Sequence, residues 1–271
     1  MAKDFPLVFS VTSGKGGVGK TNIAVNLAYC LAALGKKVLL LDADLGLANV
    51  DIMLGMSPEK NLFHLFHEGA SLEEIIVATG YGFSILPASS GVMDMLNLST
   101  GQKLDLLESV DMLEKEIDYF IVDTGAGIND TVLYFNLAVQ ERIVILTPEP
   151  TSLTDAYALI KVINHHHGVD NFRVLVNMAQ DTKSAKEIYV RLHMACEQFL
   201  KSISLDLIGI IPRDPNVRKA VINQKPFCLE APESAASLAV KEVAETIQSW
   251  GVPVALDGNI KFFWKKFLFR Q

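Results

Sequence analysis

Residues 14–21, with the sequence GKGGVGKT, have the residue types and spacing of a loop that binds polyphosphate. They match the pattern G-x-x-x-x-G-K-[ST] and lie between an apolar run at 7–12 and a segment with helical apolar spacing at 21–34. Glycines allow successive backbone N–H groups and a helix N-terminus to face phosphate oxygens. Lys20 adds positive charge at the β and γ oxygens, and Thr21 offers a hydroxyl ligand to Mg²⁺. The sequence therefore predicts a nucleoside-triphosphate site.

Two later apolar runs end in carboxylates. Asp42 and Asp44 end the run VLLLDAD, and Asp123 ends the run IDYFIVD, ahead of Gly125 and Gly127. Ligands of parallel α/β sheets bind at the carboxyl ends of the strands, so these carboxylates are predicted to face one crevice. The two glycines would let the segment after Asp123 move with a γ-phosphate. The alternative interpretation is that each aspartate only caps a strand end or a helix start.

The elements that must position these residues repeat along the whole chain. The apolar runs are continuous rather than alternating, which is typical of strands buried on both faces of a parallel sheet. Strands are predicted at 7–12, 37–42, 83–87, 118–123, 142–147, 172–177 and 207–212. Helices are predicted at 21–34, 101–115, 151–166, 184–201 and 234–250. This repetition indicates an α/β fold, a single-domain P-loop NTPase with a mostly parallel sheet flanked by helices.

Composition restricts the class of protein further. The chain has 271 residues, half of them hydrophobic, which is ample material for a large core. Its three cysteines are widely separated, so the sequence offers neither a C-x-x-C metal clip nor a disulfide framework. The N-terminus lacks the pattern of a signal peptide, and no apolar stretch reaches the ~20 residues of a membrane span. We therefore expect a cytoplasmic protein.

The charge is unevenly distributed along the chain. The net charge is −7, but residues 259–271 contain four basic residues and no acid. The remainder carries 20 basic and 31 acidic side chains, a charge of −11, which argues against direct binding of nucleic acid. We expect an ATPase domain at 1–252, a hinge at 253–258 and a basic, aromatic tail at 259–271.

The tail has the pattern of an amphipathic helix that lies on a membrane. At ~100° per residue, its apolar side chains share one face and its cations occupy the other. The predicted membrane contacts are Ile260, Phe263, Trp264, Phe267 and Leu268, with Lys261, Lys265, Lys266 and Arg270. At ~1.5 Å per residue such a helix cannot cross the ~30 Å hydrocarbon core. The alternative is that the aromatic face docks on its own domain or covers a dimer surface.

The phosphate loop contains a second lysine, Lys15, directly after its first glycine. GKGGVGKT therefore resembles the deviant Walker A motif of the MinD/ParA family of ATPases, and the resemblance extends over essentially the whole chain. It implies a slow ATP hydrolase that dimerises with ATP and Mg²⁺, in which Lys15 reaches the ATP of the partner copy. The implied nucleotide-binding residues are Gly14, Lys15, Gly16, Gly17, Val18, Gly19, Lys20, Thr21, Asn22, Asn177, Pro212 and Asp214, with the last three near the adenine.

The resemblance also implies roles for the acidic side chains. Asp44 matches the residue that orients the attacking water, and it would act in catalysis with Lys15 and Lys20. The implied metal contacts, partly through water, are Thr21, Asp42 and Asp123. The implied dimer contacts are Lys15, Asn49 and Asp155.

Two stretches narrow the resemblance to the flagellar-number regulators of the FlhG/FleN branch. They are DADLGLANVDIMLG at 42–55 and PEPTSLTDAYALIKVIN at 148–164. This branch implies a regulator of flagellar number or placement that is reversibly peripheral on the inner face of the cell membrane. The implied partners are a flagellar GTPase of FlhF type and a flagellar transcription activator. Few residues precede the first predicted strand, which favours the activator over stimulation of the GTPase by an N-terminal extension. Alternatives are a DNA-partitioning ParA-like ATPase and a division-site regulator of MinD type.

Overall fold

The computed structural model describes residues 5–45, 49–88, 98–200, 202–251 and 259–263, and its strands form one sheet. The strands are β1 (Leu7–Ser13), β2 (Val38–Ala43), β3 (Val77–Ala78), β4 (Ser84–Leu86), β5 (Tyr119–Ala126), β6 (Glu141–Leu146), β7 (Asn171–Ala179) and β8 (Ser204–Pro212). Their order is β3-β4-β2-β5-β1-β6-β7-β8. All neighbouring pairs are parallel except β3 and β4, which are antiparallel.

Helices cover both faces of this sheet. They are α1 (Lys20–Ala33), α2 (Val50–Met53), α3 (Leu62–Glu68), α4 (Leu72–Ile75), α5 (Thr100–Asp111), α6 (Asp130–Ala138), α7 (Pro150–His167), α8 (Thr182–Phe199), α9 (Pro215–Ile222), α10 (Phe227–Glu230) and α11 (Ala235–Gln248). Helices α1, α10 and α11 pack on one face, and α5 to α8 pack on the other. No helix within the described ranges is long and apolar enough to cross a bilayer.

The predicted fold class is confirmed, and the burial of the strands explains why the apolar pattern of the sequence predicted it. Leu7, Phe9 and Val11 of β1 pack against the α1 side, whereas Val8 packs against the α5 side. Both faces of the strand are buried, so its residues are apolar almost without interruption. Each predicted strand overlaps an observed one. Strand β3 and helices α2, α3, α4, α6, α9 and α10 were not predicted, because segments of two to nine residues are too short for a clear period.

The sheet order brings the predicted site residues together. Strand β5 lies between β1 and β2, so the ends of these three strands are adjacent. Asp123 pairs in register with Val11 on one side and with Asp42 on the other. The phosphate loop follows β1 directly, and it therefore begins beside both acidic strand ends.

The start of the tail docks on the domain, and the prediction that 259–263 begin a helix is wrong. The backbone N–H of Phe262 donates to Ala138 O at 2.8 Å, and that of Phe263 donates to Asp111 Oδ1 at 2.6 Å. Lys261 Nζ donates to Val139 O at 3.0 Å, just beyond the C-terminus of α6. These tertiary acceptors replace the intrahelical ones, and Phe263 adopts a φ of +63° that no α-helix allows.

Two predictions about the tail change as a result. Phe263 and Lys261 are buried in this structure, so they do not form part of a free membrane face, whereas Ile260 is exposed. Phe262, packed edge-to-face on Phe120, and Phe263 belong to the core, so the domain extends past the predicted boundary at 252. The hinge at 253–258 and residues Trp264, Lys265, Lys266, Phe267, Leu268 and Arg270 lie outside the described residues.

A pair of truncations separates the docked part of the tail from the rest. Removal of 264–271 is expected to leave the melting temperature within a few degrees of the full chain, because the docked residues remain. Removal of 259–271 also removes two buried phenylalanines, each worth about 3–5 kcal/mol on truncation, and should lower the melting temperature by at least about 10 °C more. Thermal unfolding followed by circular dichroism measures both. Equal melting temperatures would contradict the docking.

Candidate functional site

The phosphate loop leads from β1 into α1 at the centre of the sheet. Gly19 directly precedes α1 with a φ of +91°, a left-handed conformation that glycine adopts readily. No side chain caps the first N–H groups of α1 within the described residues, which is the arrangement that suits a bound phosphate. Ser13 Oγ donates to Lys15 O at 2.6 Å and holds the start of the loop.

Lys20 is the first residue of α1 and is only 9% exposed. Burial lowers the pKa of its ammonium group, and the negative charges of Asp123 and Asp44 act in the opposite direction. The side chain therefore lies within electrostatic reach of both carboxylates. Its charge is well placed to interact with phosphate oxygens in a site of low effective dielectric constant.

Asp123 and Thr21 have the properties of a site for a divalent cation. Asp123 is buried, its Oδ1 has no hydrogen-bond partner among the described residues, and its carboxylate accepts a hydrogen bond from the Thr21 side chain. Burial, together with the charge of Asp42, raises the pKa of Asp123 to about 8. A buried carboxylate oxygen without a partner is costly unless something positive binds it, and a hydroxyl beside a carboxylate is a hard-oxygen donor set that Mg²⁺ prefers. The residues present fit this ion.

Asp42 has a structural role that was not predicted from the sequence. Its Oδ2 accepts hydrogen bonds from the backbone N–H groups of Asn49 and Val50, at 2.8 and 3.0 Å, and its Oδ1 accepts one from Asp44 at 3.2 Å. Burial raises the pKa of Asp42 to about 7, although these three bonds favour the charged form. Asp42 thus anchors the loop between β2 and α2. Its predicted position near Mg²⁺ stays a prediction.

Asp44 lies beside the segment that follows Asp123. A Cβ built on Gly125 would be 3.5 Å from Asp44 Oδ1, so this side chain passes close to the end of β5. Asp44 is partly exposed, and its charge acts on both Lys20 and Asp123. A carboxylate placed at the edge of a phosphate site can accept a hydrogen bond from water.

Lys15 is held within its own chain. Its Nζ contacts the Glu149 carboxylate and donates to Thr151 Oγ1 at 2.8 Å, at the N-terminus of α7. Both partners are at least partly exposed, so this contact contributes little to stability. Sequence reasoning missed Glu149 and Thr151, because a single exposed acid and hydroxyl carry no pattern. The predicted reach of Lys15 to a partner copy stays a prediction.

The remaining predicted residues surround the same loop. Asp155 of α7 packs on Gly14: its carbonyl oxygen would be 2.0 Å from a Cβ built there. Asn177 is almost buried, and its Nδ2 donates to Val18 O at 2.8 Å, so it supports the loop directly. Asp214, just after Pro212, accepts from the N–H groups of Asn216 and Ala236 and begins α9. Contacts of Asn177, Pro212 and Asp214 with adenine stay predictions, as do the dimer contacts.

A phosphate loop at the centre of a parallel sheet, with acidic ends on the strands beside it, defines a P-loop nucleoside triphosphatase. The family model ParA, described as NUBPL iron-transfer P-loop NTPase, matches residues 5–248. The chain therefore belongs to the ParA/MinD family of P-loop ATPases. It binds ATP with Mg²⁺ and hydrolyses ATP.

Individual relatives are similar over almost their whole length. The antiactivator FleN of Pseudomonas aeruginosa is 44% identical over 256 residues, which are 94% of this chain and 91% of that protein. The flagellum site-determining protein YlxH of Helicobacter pylori is 33% identical, over 96% of this chain and 88% of that protein. The solved structure of the septum site-determining protein MinD of Pyrococcus horikoshii, complexed with Mg-ADP, has a TM-score of 0.75 and 25% identity, covering 90% of this chain and 96% of that one. The chain is thus a MinD-type ATPase related to flagellar regulators.

The described residues offer no ligand set for the iron transfer that the description of the family model mentions. Cys30, Cys196 and Cys228 are all buried. Cys30 and Cys228 form a side-chain hydrogen bond to each other inside the core. Within the described residues, no group of three or more histidine, cysteine or acidic side chains is placed to hold a metal ion.

Proposed function

We propose that this protein is an ATP-timed switch that sets the number or placement of flagella. The similarity to FleN, at 44% identity over 94% of the chain, is the observation that carries this proposal. Hydrolysis in such a protein limits how long the ATP-bound form lasts, and the product is not itself the purpose. The partners we propose are a flagellar transcription activator, since FleN is named an antiactivator, and a flagellar GTPase of FlhF type.

The residues around the phosphate loop have different roles in ATP hydrolysis. Bound Mg²⁺ supplies positive charge that neutralises the β and γ oxygens. Thr21 and Asp123 hold this ion, and Lys20 adds charge at the same oxygens. Asp44 orients the attacking water, and the segment from Gly125 to Gly127 closes on the γ-phosphate. The closeness of Asp44, Lys20 and Asp123 around one strand end supports this division.

The ATP-bound form is a homodimer in this proposal. Lys15 leaves Glu149 and Thr151 and reaches the ATP of the partner copy, where it acts as an additional cation. The exposure of the Lys15 contact supports this change, because an exposed ion pair is easily exchanged for another. Asp155 packs on Gly14 of the phosphate loop, and Asn49 is held by Asp42 at the end of β2, so both would lie on the surface that a second copy covers.

The membrane contact is made by residues after Phe263. The remaining tail, WKKFLFRQ, keeps Trp264, Phe267 and Leu268 together with Lys265, Lys266 and Arg270. One such anchor gives marginal, reversible binding, with about 1 kcal/mol per cation at an anionic surface. Two anchors in a dimer act at high effective concentration and gain avidity. The ATP-bound dimer therefore stays on the membrane, and the monomer leaves it.

Sedimentation with vesicles tests this proposal. Vesicles in which one third of the lipid is phosphatidylglycerol are expected to bind the full chain in the presence of a non-hydrolysable ATP analogue. With ADP or without nucleotide, binding should be at least about 10-fold weaker, because the avidity of the dimer is lost. Binding should weaken as salt is raised. The chain that lacks 264–271 is the control, since its docked core is intact. Equal sedimentation with ATP analogue and ADP would contradict the nucleotide control.

A further inference from the structure

A network of buried polar side chains lies beneath the segment that follows Asp123. Thr124 Oγ1 lies 3.0 Å from Thr12 Oγ1, 3.0 Å from Gly125 O and 3.3 Å from Val11 O. Thr124 and Thr12 are 1% and 0% exposed. A hydroxyl has a single proton, so Thr124 can donate to only one of these three oxygens at a time.

The Asn136 side chain determines which groups of this network donate and which accept hydrogen bonds. Its Nδ2 lies 2.8 Å from Val132 O, which can only accept, so the amide orientation is determined. The same Nδ2 donates to Thr12 Oγ1 at 3.0 Å, and Ser10 Oγ donates to Asn136 Oδ1 at 2.9 Å. Asn136 therefore anchors the oxygen of Thr12. The proton of Thr12 is then available to Thr124, and the proton of Thr124 to the carbonyl of Gly125.

The network lies at an irregularity between β1 and β5. Val11 pairs with Asp123, but Ser13 pairs with Ala126, so two residues of β5 face one of β1. Those two residues are Thr124 and Gly125. Bulges of this kind re-aim the chain near functional sites and leave backbone groups without their ladder partners. The Thr124 hydroxyl lies within hydrogen-bond distance of two backbone carbonyls at this bulge, those of Val11 and Gly125.

The bulge places Gly125 directly against Asp44. A Cβ built on Gly125 would be in van der Waals contact with Asp44, 3.5 Å from its Oδ1 and 3.6 Å from its Cγ. Any rotation of the Gly125 peptide would therefore change the surroundings of the Asp44 carboxylate. Thr124 holds this peptide from the buried side, and Asp44 faces it from the site.

We propose that Thr124 is a positioning residue for ATP hydrolysis. Its hydroxyl, oriented by Thr12 and Asn136, holds the Gly125 peptide in the orientation in which Asp44 directs the attacking water. The transfer of its hydrogen bond between the carbonyls of Gly125 and Val11 accompanies closure of this segment on the γ-phosphate. The inference rests on the proposed role of Asp44, which faces the Gly125 peptide from the site. It adds that Thr124, with Thr12 and Asn136, holds the same peptide from the buried side.

Isosteric substitutions test the hydroxyl itself. Thr124→Val keeps the shape and removes the hydrogen bond, whereas Thr124→Ser keeps the hydroxyl. We expect Thr124→Val to lower kcat by about 10-fold or more with KM for ATP changed by less than about 2-fold, since the interaction acts on the reacting geometry and not on binding. Thr124→Ser should stay within about 3-fold of the native kcat. Thr12→Val, which interrupts the chain from Asn136, should lower kcat in the same direction.

The control is Thr147→Val, which removes another buried hydroxyl, one with no hydrogen-bond partner in the part of the chain that the structure describes, and should leave kcat unchanged. Hydrogen exchange of the amides from Gly125 to Gly127 gives a second readout. With an ATP analogue these amides should become protected in the native chain and stay unprotected in Thr124→Val. Native kcat in Thr124→Val, or equal losses in Thr124→Val and Thr124→Ser, would overturn the proposal. Asp44→Ala in the same assay distinguishes a failure of the role proposed for Asp44 from a failure of the role proposed for Thr124. Native turnover in Asp44→Ala would contradict the role of Asp44, whereas native turnover in Thr124→Val would contradict the role of Thr124.

Discussion

Replacing Lys20 with alanine is expected to reduce the affinity for Mg-ATP by at least about 100-fold, because a desolvated counterion of the phosphates is lost. The native ammonium is nearly buried and balances the charges of Asp123 and Asp44. Isothermal titration calorimetry with a non-hydrolysable analogue measures the loss.

A matched lysine tests whether this effect is specific to the site. Lys186 is an exposed residue of α8, and Lys186→Ala should bind the analogue as the native chain does. Melting temperatures of the two variants should be similar to the native one, which excludes unfolding as the cause. Native affinity in Lys20→Ala would mean that the phosphates bind elsewhere.

Replacing Asp44 with alanine is expected to lower kcat by at least about 100-fold while leaving nucleotide affinity within about 3-fold of native, because the residue acts on water and not on ATP. Its position beside Gly125, rather than in the loop, is the reason for this division. The variant should accumulate as an ATP-bound dimer, visible as a doubled mass in light scattering. Asp44→Asn keeps the shape without the charge and should be nearly as inactive.

Mixtures of variants then test the source of Lys15. If Lys15 acts on the partner copy, mixing Lys15→Ala with Asp44→Ala creates one site that has its own Asp44 and receives Lys15 from the other subunit. Partial turnover should therefore return in the mixture and in neither variant alone. Mixed dimers without any turnover would instead indicate that Lys15 acts within its own chain, where Glu149 already holds it.

The local sequence was sufficient for the parts of this protein that depend on near neighbours. The phosphate loop, GKGGVGKT, requires glycines, a lysine and a hydroxyl within eight residues, and a strand and a helix on either side. Strands buried on both faces are continuous apolar runs, so the parallel sheet and its acidic strand ends were also predictable. Their convergence followed from the rule that ligands bind at the carboxyl ends of such strands.

Contacts between distant parts of the chain were decided only by the tertiary structure. The tail has a clear helical period, yet Asp111 and Ala138 offer acceptors to the N–H groups of Phe263 and Phe262, and the first residues dock as a turn. Asp42 anchors its loop through backbone N–H groups, which carry no residue identity. The hydroxyl of Thr124 meets Thr12 across 112 residues of chain, and no periodicity records such a pair. The periodicity of a sequence shows which side of a helix or strand is apolar. The hydrogen-bond and packing partners of a residue depend instead on where the fold places the ends of the strands and helices.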